Sequence, residues 1–386
     1  MYGTIETMRG EVEPAAAAAP ESVSDFRCGP DTQVPLTRRT TVNYVGIDLH
    51  KKTIVLCVMD QHRAVRHRGS FACGDTEAIL AFVRRLGPFR AVVEATASYE
   101  WLVELIEPLA EKVVLANPKK LRVIAESTKK TDKLDAQVLA EFLARDMIPE
   151  AYRPSPRQRE HRTLVRHRQY LRQRATALKV KMRRIVSDYN ADRRDLFTAA
   201  GWQAALQGIK LRDGDRFVLD QLHAQWQGLE DQVRELKRRL QTFAAAAPPR
   251  EAEARAKLET IPGVGPVTIN VVLSELGSDV RRFASAKAVT AYAGLAPRVR
   301  QSAGKGKDLG ITKEGSPLLR WALVEASWRV VHHSASWRRI YESIKKRAGG
   351  KKAIVAVARR LLCVIYAMLR DGTNYDLLRV GEPQPS

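Results

Sequence analysis

Apolar positions cluster in short runs over the first half of the chain. Residues 44–47 and 53–59 are two such runs, with Asp48 between them. "HRAVRHRGSFAC", "FRAVVEAT" and "KVVLANP" read as three further strands. "DTEAILAFVRRLG" and "SYEWLVELIEPLAE" carry helical spacing between them, and Asp75 and Gly87 punctuate the first as N-cap and C-terminal glycine. Strands alternating with helices at this spacing predict an α/β layer on a mixed sheet over residues 41–150. The pattern then changes. Leu164, Leu171, Leu178 and Ile185 recur every seven residues on an otherwise basic helix. Leu219, Leu222, Trp226, Leu229, Val233, Leu236, Leu240 and Phe243 follow an unbroken 3-4 spacing. That spacing predicts a helical coiled-coil region over 151–250, as an intramolecular hairpin or a dimer arm. A helix lying on a globular core would show a wider stripe. "AAAAPPRE" (244–251) reads as the linker that ends it.

From 251 to 375 the pattern is mostly α-helical throughout, with loops rich in Gly and Lys. Trp321, Trp328 and the apolar positions of "LLRWALVEASWRVV" read as core at helical spacing. "AIVAVARRLLCVIYAML" reads as core or as an oligomer interface, too short and too charged to span a membrane. Residues 1–40 lack apolar periodicity and read as a disordered leader, and 376–386 as a tail.

Charge changes what this architecture is for. The 386 residues carry a net charge of +22, which points to a polyanionic partner, most simply nucleic acid, with an anionic membrane surface as the competitor. Residues 151–185 alone hold twelve Lys and Arg against one acid, Glu160. Arg166, Arg172 and Arg183 on this helix are therefore candidate backbone contacts for nucleic acid, the alternative being a solvated face. The four cysteines have neither zinc nor disulfide spacing, and no apolar signal core opens the chain, so a cytoplasmic, nucleoid-associated protein with no membrane partner is expected.

"KKTDKLDAQVLAEFL" places Asp132 and Asp135 three residues apart at a helix start. Locally, caps at a helix N-terminus explain both. Asp48 and Glu94 weaken that explanation, because each ends an apolar strand, where a lone carboxylate is costly to bury. If the two strands are neighbours, both acids emerge at one sheet edge, and a helix across that edge adds the two aspartates. Four carboxylates without His or Cys favour a hard cation, Mg²⁺ or Mn²⁺, of the kind that aligns attacking and leaving oxygens at a phosphodiester. Lys51, Lys52, Lys129 and Lys130 around them suit a substrate phosphate.

"GIDLHKK", "VVEATASYEW", "ANPKKLRVIAES" and "KKTDKLDAQVLAEFL", in this order, resemble the N-terminal DEDD domain of the insertion-sequence-110 family of transposases. "LETIPGVGPVTINVVLSELG" and "RRFASAKAVTAYAGLAPRVRQSAGKGKDLGITKEGSPLLRWALVEAS" resemble its C-terminal transposase domain. The resemblance implies a ribonuclease H-like (RuvC-like) first domain with Asp48, Glu94, Asp132 and Asp135 as the acidic tetrad. It also implies transposase or recombinase activity on donor and target DNA, and a structured noncoding guide RNA encoded by the element.

"IPGVG" between two helices matches a helix-hairpin-helix turn, in which Gly263 and Gly265 would let backbone N–H groups approach a phosphate; an ordinary glycine turn is the alternative. Residues 296–320 follow as a basic loop. From the residues alone, Ser302 and Ser316 are both open as nucleophiles, and Pro317 makes Ser316 look like a helix cap. Arg298, Arg300, Lys305 and Lys307 are placed to hold a phosphate beside Ser302. The resemblance favours Ser302, in "QSAGKG", where the family's Ser-Gly pair here reads Ser302-Ala303-Gly304. Acids and serine in separate domains imply an obligate homo-oligomer, a dimer or dimer of dimers. A junction-resolving nuclease using activated water and a non-catalytic nucleic-acid-binding protein are the two rival readings.

Overall fold

The computed structural model describes residues 42–95, 98–121, 136–302 and 305–375, with the backbone alone for 299–309. The chain divides between Tyr152 and Arg153 into two compact units.

The first unit is a five-stranded mixed sheet. Its strands are β1 (Asn43–Leu49), β2 (Thr53–Met59), β3 (Val65–Ala72), β4 (Phe89–Glu94) and β5 (Lys112–Ala116), in the order β3-β2-β1-β4-β5. The first three form an antiparallel meander, and β1, β4 and β5 run parallel. The inner strands β2, β1 and β4 are largely buried, whereas β3, "VRHRGSFA", is largely exposed at an edge. Helices α1 (Thr76–Arg84) and α2 (Glu100–Ile106) cover one face, packing Ile79, Val83, Leu102 and Ile106 on Val45, Ile47, Ala91 and Val93. Asp75 caps α1 as the sequence predicts, its carboxylate accepting from the Ala78 N–H at 3.0 Å. Helix α3 (Ala136–Ala144) covers the opposite face, where Leu139 and Phe142 meet Val92 and Val114. This mixed sheet with helices on both faces is consistent with a ribonuclease H-like domain.

The second unit is mostly helical. Its long elements are α4 (Pro156–Ser187) and α6 (Asp213–Ala245), with α5 (Ala199–Leu206) between them. α4 and α6 pair antiparallel within one chain. Arg157 near the start of α4 meets the Phe243 carbonyl near the end of α6, Arg172 meets Glu230 midway, and Tyr189 beyond α4 meets Asp215 in the first turn of α6. On α6 the predicted stripe is the covered one, from Leu219 to Phe243. On α4 the covered seam is not the heptad of Leu164, Leu171, Leu178 and Ile185 alone. It runs Gln158, His161, Val165, Arg168, Arg172, Ala175, Lys179, Met182, Val186, at 3-4 spacing. Counting apolar residues misses this seam because two of its basic members, Arg172 and Lys179, are engaged by α6. Arg172 pairs with Glu230, and the Lys179 ammonium lies 4.9 Å from the centre of the Trp226 ring.

The remaining helices are α7 (Pro249–Glu259), α8 (Pro266–Leu276), α9 (Ala286–Tyr292), α10 (Pro317–His333), α11 (Ala335–Ala348) and α12 (Gly350–Asp371). The apolar "AIVAVARRLLCVIYAML" lies within α12 and forms the core of this part, with Val357, Leu361, Leu362 and Ile365 fully buried. Two expectations fail here. Residues 251–375 are mostly helical, as expected, but not helical throughout: β6 (Pro297–Ser302) and β7 (Lys305–Ile311) form an antiparallel ribbon. The ribbon has almost no apolar alternation to signal it, because its positions are filled by Arg, Lys and Gly. Trp321 and Trp328 are not core. They are 41% and 45% exposed, because α10 buries Leu319, Leu323, Ala326 and Val330 instead.

Candidate active site

Strand pairing brings Asp48 and Glu94 together. β1 and β4 are parallel with Ile47 opposite Val93, so the next residue on each strand is the acid. Side chains alternate between sheet faces. Ile47 and Val93 point to α1 and α2, so Asp48 and Glu94 lie on the α3 face with Gly46 and Val92. Both acids are partly buried; the Asp48 side chain keeps 24% exposure.

Helix α3 starts on this same spot. A Cβ built on Gly46 would lie 1.9 Å from the Ala136 carbonyl oxygen and 2.4 Å from the Ala140 nitrogen. Only glycine lets the helix backbone approach the strand so closely. Asp132, Asp135, Lys129 and Lys130 lie outside the described residues. Ala136, the residue after Asp135, therefore stands against Gly46, two positions before Asp48.

The turn from β1 to β2 supplies the surrounding cations. His50 N–H donates to the Thr53 carbonyl at 2.9 Å, and Lys51 and Lys52 are exposed between them. His50 Nε2 lies 3.3 Å from the Asp48 carboxylate. This neighbour was overlooked in the sequence, although "DLH" places it on the same strand side as Asp48. Among the described residues no group of three or more His, Cys, Asp and Glu is placed to hold a metal ion. Asp48 and Glu94 offer oxygen donors only, and half-buried carboxylates on adjacent strands fit a hard divalent cation.

In the second unit, Ser302 ends β6 and is paired with Lys305 of β7, and Arg300 is paired with Lys307. Arg298 is exposed, and its Nη2 reaches the Thr312 carbonyl at 3.4 Å. Ser316 is the N-cap of α10, accepting from the Leu319 N–H at 3.3 Å, with Pro317 in the first helical position.

The two hairpin glycines do different things. Gly263 has φ +81°, and a Cβ there would come 2.9 Å from Arg329 Cβ, so this glycine seats the turn against α10. Gly265 is the N-cap of α8 and faces open space, with no side chain capping the helix. The arginines of α4 are engaged by acids that a local count leaves out. Arg166 donates from Nε and Nη2 to both oxygens of Glu275, at 3.1 and 3.2 Å. Glu275 is only 2% exposed, at the end of α8. Arg172 reaches Glu230, and Arg183 lies 3.5 Å from Asp192. Arg172 and Arg183 retain partial exposure.

Known proteins share both halves of this arrangement. A transposase profile of the DEDD type matches residues 45–191, and the profile of the Transposase IS116/IS110/IS902 family matches 255–342. The transposase for insertion sequence element IS1111A of Coxiella burnetii is 23% identical over 345 residues, covering 86% of this chain and 91% of that protein. The transposase for IS1328 of Yersinia enterocolitica is 24% identical over 344 residues, covering 87% and 99%. The pilin gene-inverting protein of Moraxella bovis is 27% identical over 362 residues, covering 86% and 97%. With profiles matching in both units and full-length relatives of this kind, the chain belongs to the IS110 family of transposases.

Proposed function

We propose that this transposase cuts and exchanges DNA strands with two groups of residues: the acids Asp48, Glu94, Asp132 and Asp135, and the nucleophile Ser302. The observation that carries the reading is that Asp48 and Glu94 each follow the paired Ile47 and Val93 on the face covered by α3, whose Ala136 follows Asp135 in the chain. Mg²⁺ or Mn²⁺ held by these acids would supply Lewis-acid stabilisation of charge at the phosphodiester. Lys51 and Lys52 draw the DNA backbone to the acids.

Ser302 Oγ attacks phosphorus and forms a phosphoserine bond. The bridging P–O bond breaks, and the departing strand end leaves as a hydroxyl after taking up a proton. The serine proton passes to a base at the site, and Arg298, Arg300, Lys305 and Lys307 balance the phosphate charge. Attack by another strand's hydroxyl on the phosphoserine reverses the step and joins new ends. This conserves the bond energy, as strand exchange requires. The relatives include proteins named as transposases and one named as a pilin gene-inverting protein, and a cut-and-rejoin step of this kind could serve either outcome. Acids and serine meet within a homo-oligomer, and a structured noncoding RNA of the element binds the basic α4 and guides the choice of DNA.

Trapping tests the reading. A denaturing gel of the protein with nicked or intact donor DNA is expected to show a covalent adduct with wild type and none with Ser302→Ala. Cutting without an adduct, undiminished in Ser302→Ala, would establish activated water as the nucleophile and sink the serine mechanism. Sequencing of co-purified nucleic acid tests the RNA, and loss of all cutting in Asp48→Ala with binding intact excludes a purely binding role.

A further inference from the structure

Two adjoining clefts, of 540 and 590 Å³, open in the second unit between α4 and α10, the first bounded also by α8. Trp321, Gln169 and Gln173 line both, so the exposed indole of Trp321 stands where they meet. The first cleft ends at the N-terminus of α8, where Gly265 leaves open space and no side chain caps the helix. Arg168 and Arg329 face it with one carboxylate, Glu325, while Arg172 is held by Glu230. Thr268 also lines this cleft. It is 8% exposed, and its hydroxyl makes no hydrogen bond to any described residue. Its hydroxyl oxygen keeps contact with solvent, so a ligand in the cleft can take the place of water as its partner. The second cleft adds the exposed ring of Tyr170.

We infer that these clefts hold an unpaired segment of DNA, with one phosphate at Thr268 and the α8 N-terminus and a base stacked on Trp321. Three features select this occupant. The cations and the open helix end call for an anion. The clefts have the size of single small ligands, which suits nucleotides rather than a double helix. A duplex covers its base faces with its own neighbours, so an exposed indole beside phosphate-binding groups gains only from a strand whose bases are free. Strand exchange, as proposed above, unpairs DNA near the cut, and the inference rests on that reading for the source of the strand alone.

The test uses the full chain and a single-stranded DNA of about eight nucleotides, within the span of one strand-binding site, carrying 5-bromodeoxyuridine. Irradiation is expected to cross-link it to peptides containing Trp321 or Tyr170. Trp321→Ala should weaken binding of the same oligonucleotide by about tenfold, the effect of losing one stacked base, and Trp321→Tyr should recover most of it. Thr268→Val should weaken binding with no fall in melting temperature, since its hydroxyl has no internal partner to lose. Arg329→Ala should lower the slope of log affinity against log salt by about 0.7, one phosphate on a single strand. Ser302→Ala should bind as wild type, which separates this inference from the serine mechanism. Four results would overturn it: cross-links only elsewhere, equal losses for duplex and single strand, binding of RNA but not DNA of the same sequence, or a Trp321→Ala change in oligomeric state with unchanged affinity. The last would assign the cleft to a protein interface.

Discussion

Gly46 of β1 and Ala136 of α3 meet backbone to backbone, leaving no room for a Cβ at the glycine. This contact sets where α3 lies relative to Asp48, two residues further along the strand. Gly46→Ala is therefore expected to disturb the site without touching an acid. The added methyl meets backbone atoms that cannot swing away, so the cost is at least the about 1–3 kcal/mol typical of overpacking. Thermal melting and strand cutting should fall together. A variant that melts and cuts like wild type would show that α3 does not need this contact.

Asp48→Asn and Glu94→Gln keep the shape of the strand ends and remove charge. Cutting should drop by about a hundredfold or more, the scale of a group that acts on a reacting centre. Melting should change little, since both acids are partly exposed. Chelation of divalent ions should abolish cutting by wild type, and adding back Mg²⁺ or Mn²⁺ should restore it.

Ser316→Ala and Ser302→Ala should separate cleanly. Ser316 caps α10 through the Leu319 N–H, and loss of such a cap costs about 1 kcal/mol. A lowered melting temperature with the covalent DNA adduct retained is expected for Ser316→Ala. Ser302→Ala should show the converse. An adduct that survives Ser302→Ala and vanishes in Ser316→Ala would exchange their roles.

Arg166 forms a two-pronged pair with the buried Glu275, with Arg162 3.9 Å from the same carboxylate. Arg166→Ala should destabilise the second unit by about 1.5–3 kcal/mol, the range for hydrogen bonds to a charged group. A melting curve is the discriminating measurement, because an arginine serving only nucleic acid would leave it unmoved.

His161 is buried against Phe243, and its Nε2 lies 3.0 Å from Asn270 Oδ1, which also accepts from Arg255 Nη1. Burial is the leading cause that holds its pKa below the ordinary histidine value; Asn270 and Glu251 oppose the shift, and Arg255 and Arg157 add to it. The folded state then binds fewer protons than the unfolded chain, so stability is fully present above the unfolded pKa of about 6.5 and is lost as pH falls below it. Denaturant midpoints should fall between neutral and mildly acidic pH, and His161→Phe should reduce that slope. An unchanged slope in His161→Phe would assign the acid sensitivity to other groups.

The sheet was legible because its strands are apolar, short and separated by helices with their own punctuation, as Asp75 shows for α1. The pair Asp48 and Glu94 was legible as a conditional: each ends an apolar strand, and only the neighbourhood of the strands was missing. The α6 seam was legible because its members are nearly all apolar. The α4 seam was not, since Arg172 and Lys179 are engaged by partners some 50 residues away in sequence, Glu230 and Trp226. The ribbon carrying Ser302 was invisible because hydrogen bonds between strands leave no trace when the side chains are basic or absent.

Local sequence by itself determined the order of strands and helices in the first unit, the caps at Asp75 and Ser316, the basic character of the chain and the motifs of its family. Each depends on neighbours within a turn or a strand, or on composition. Tertiary structure alone decided that Asp48 stands beside Glu94, that Gly46 admits α3, that Arg166 belongs to Glu275 and that Trp321 faces outward. Those outcomes depend on which distant surfaces pack together, and packing is a property of the whole fold.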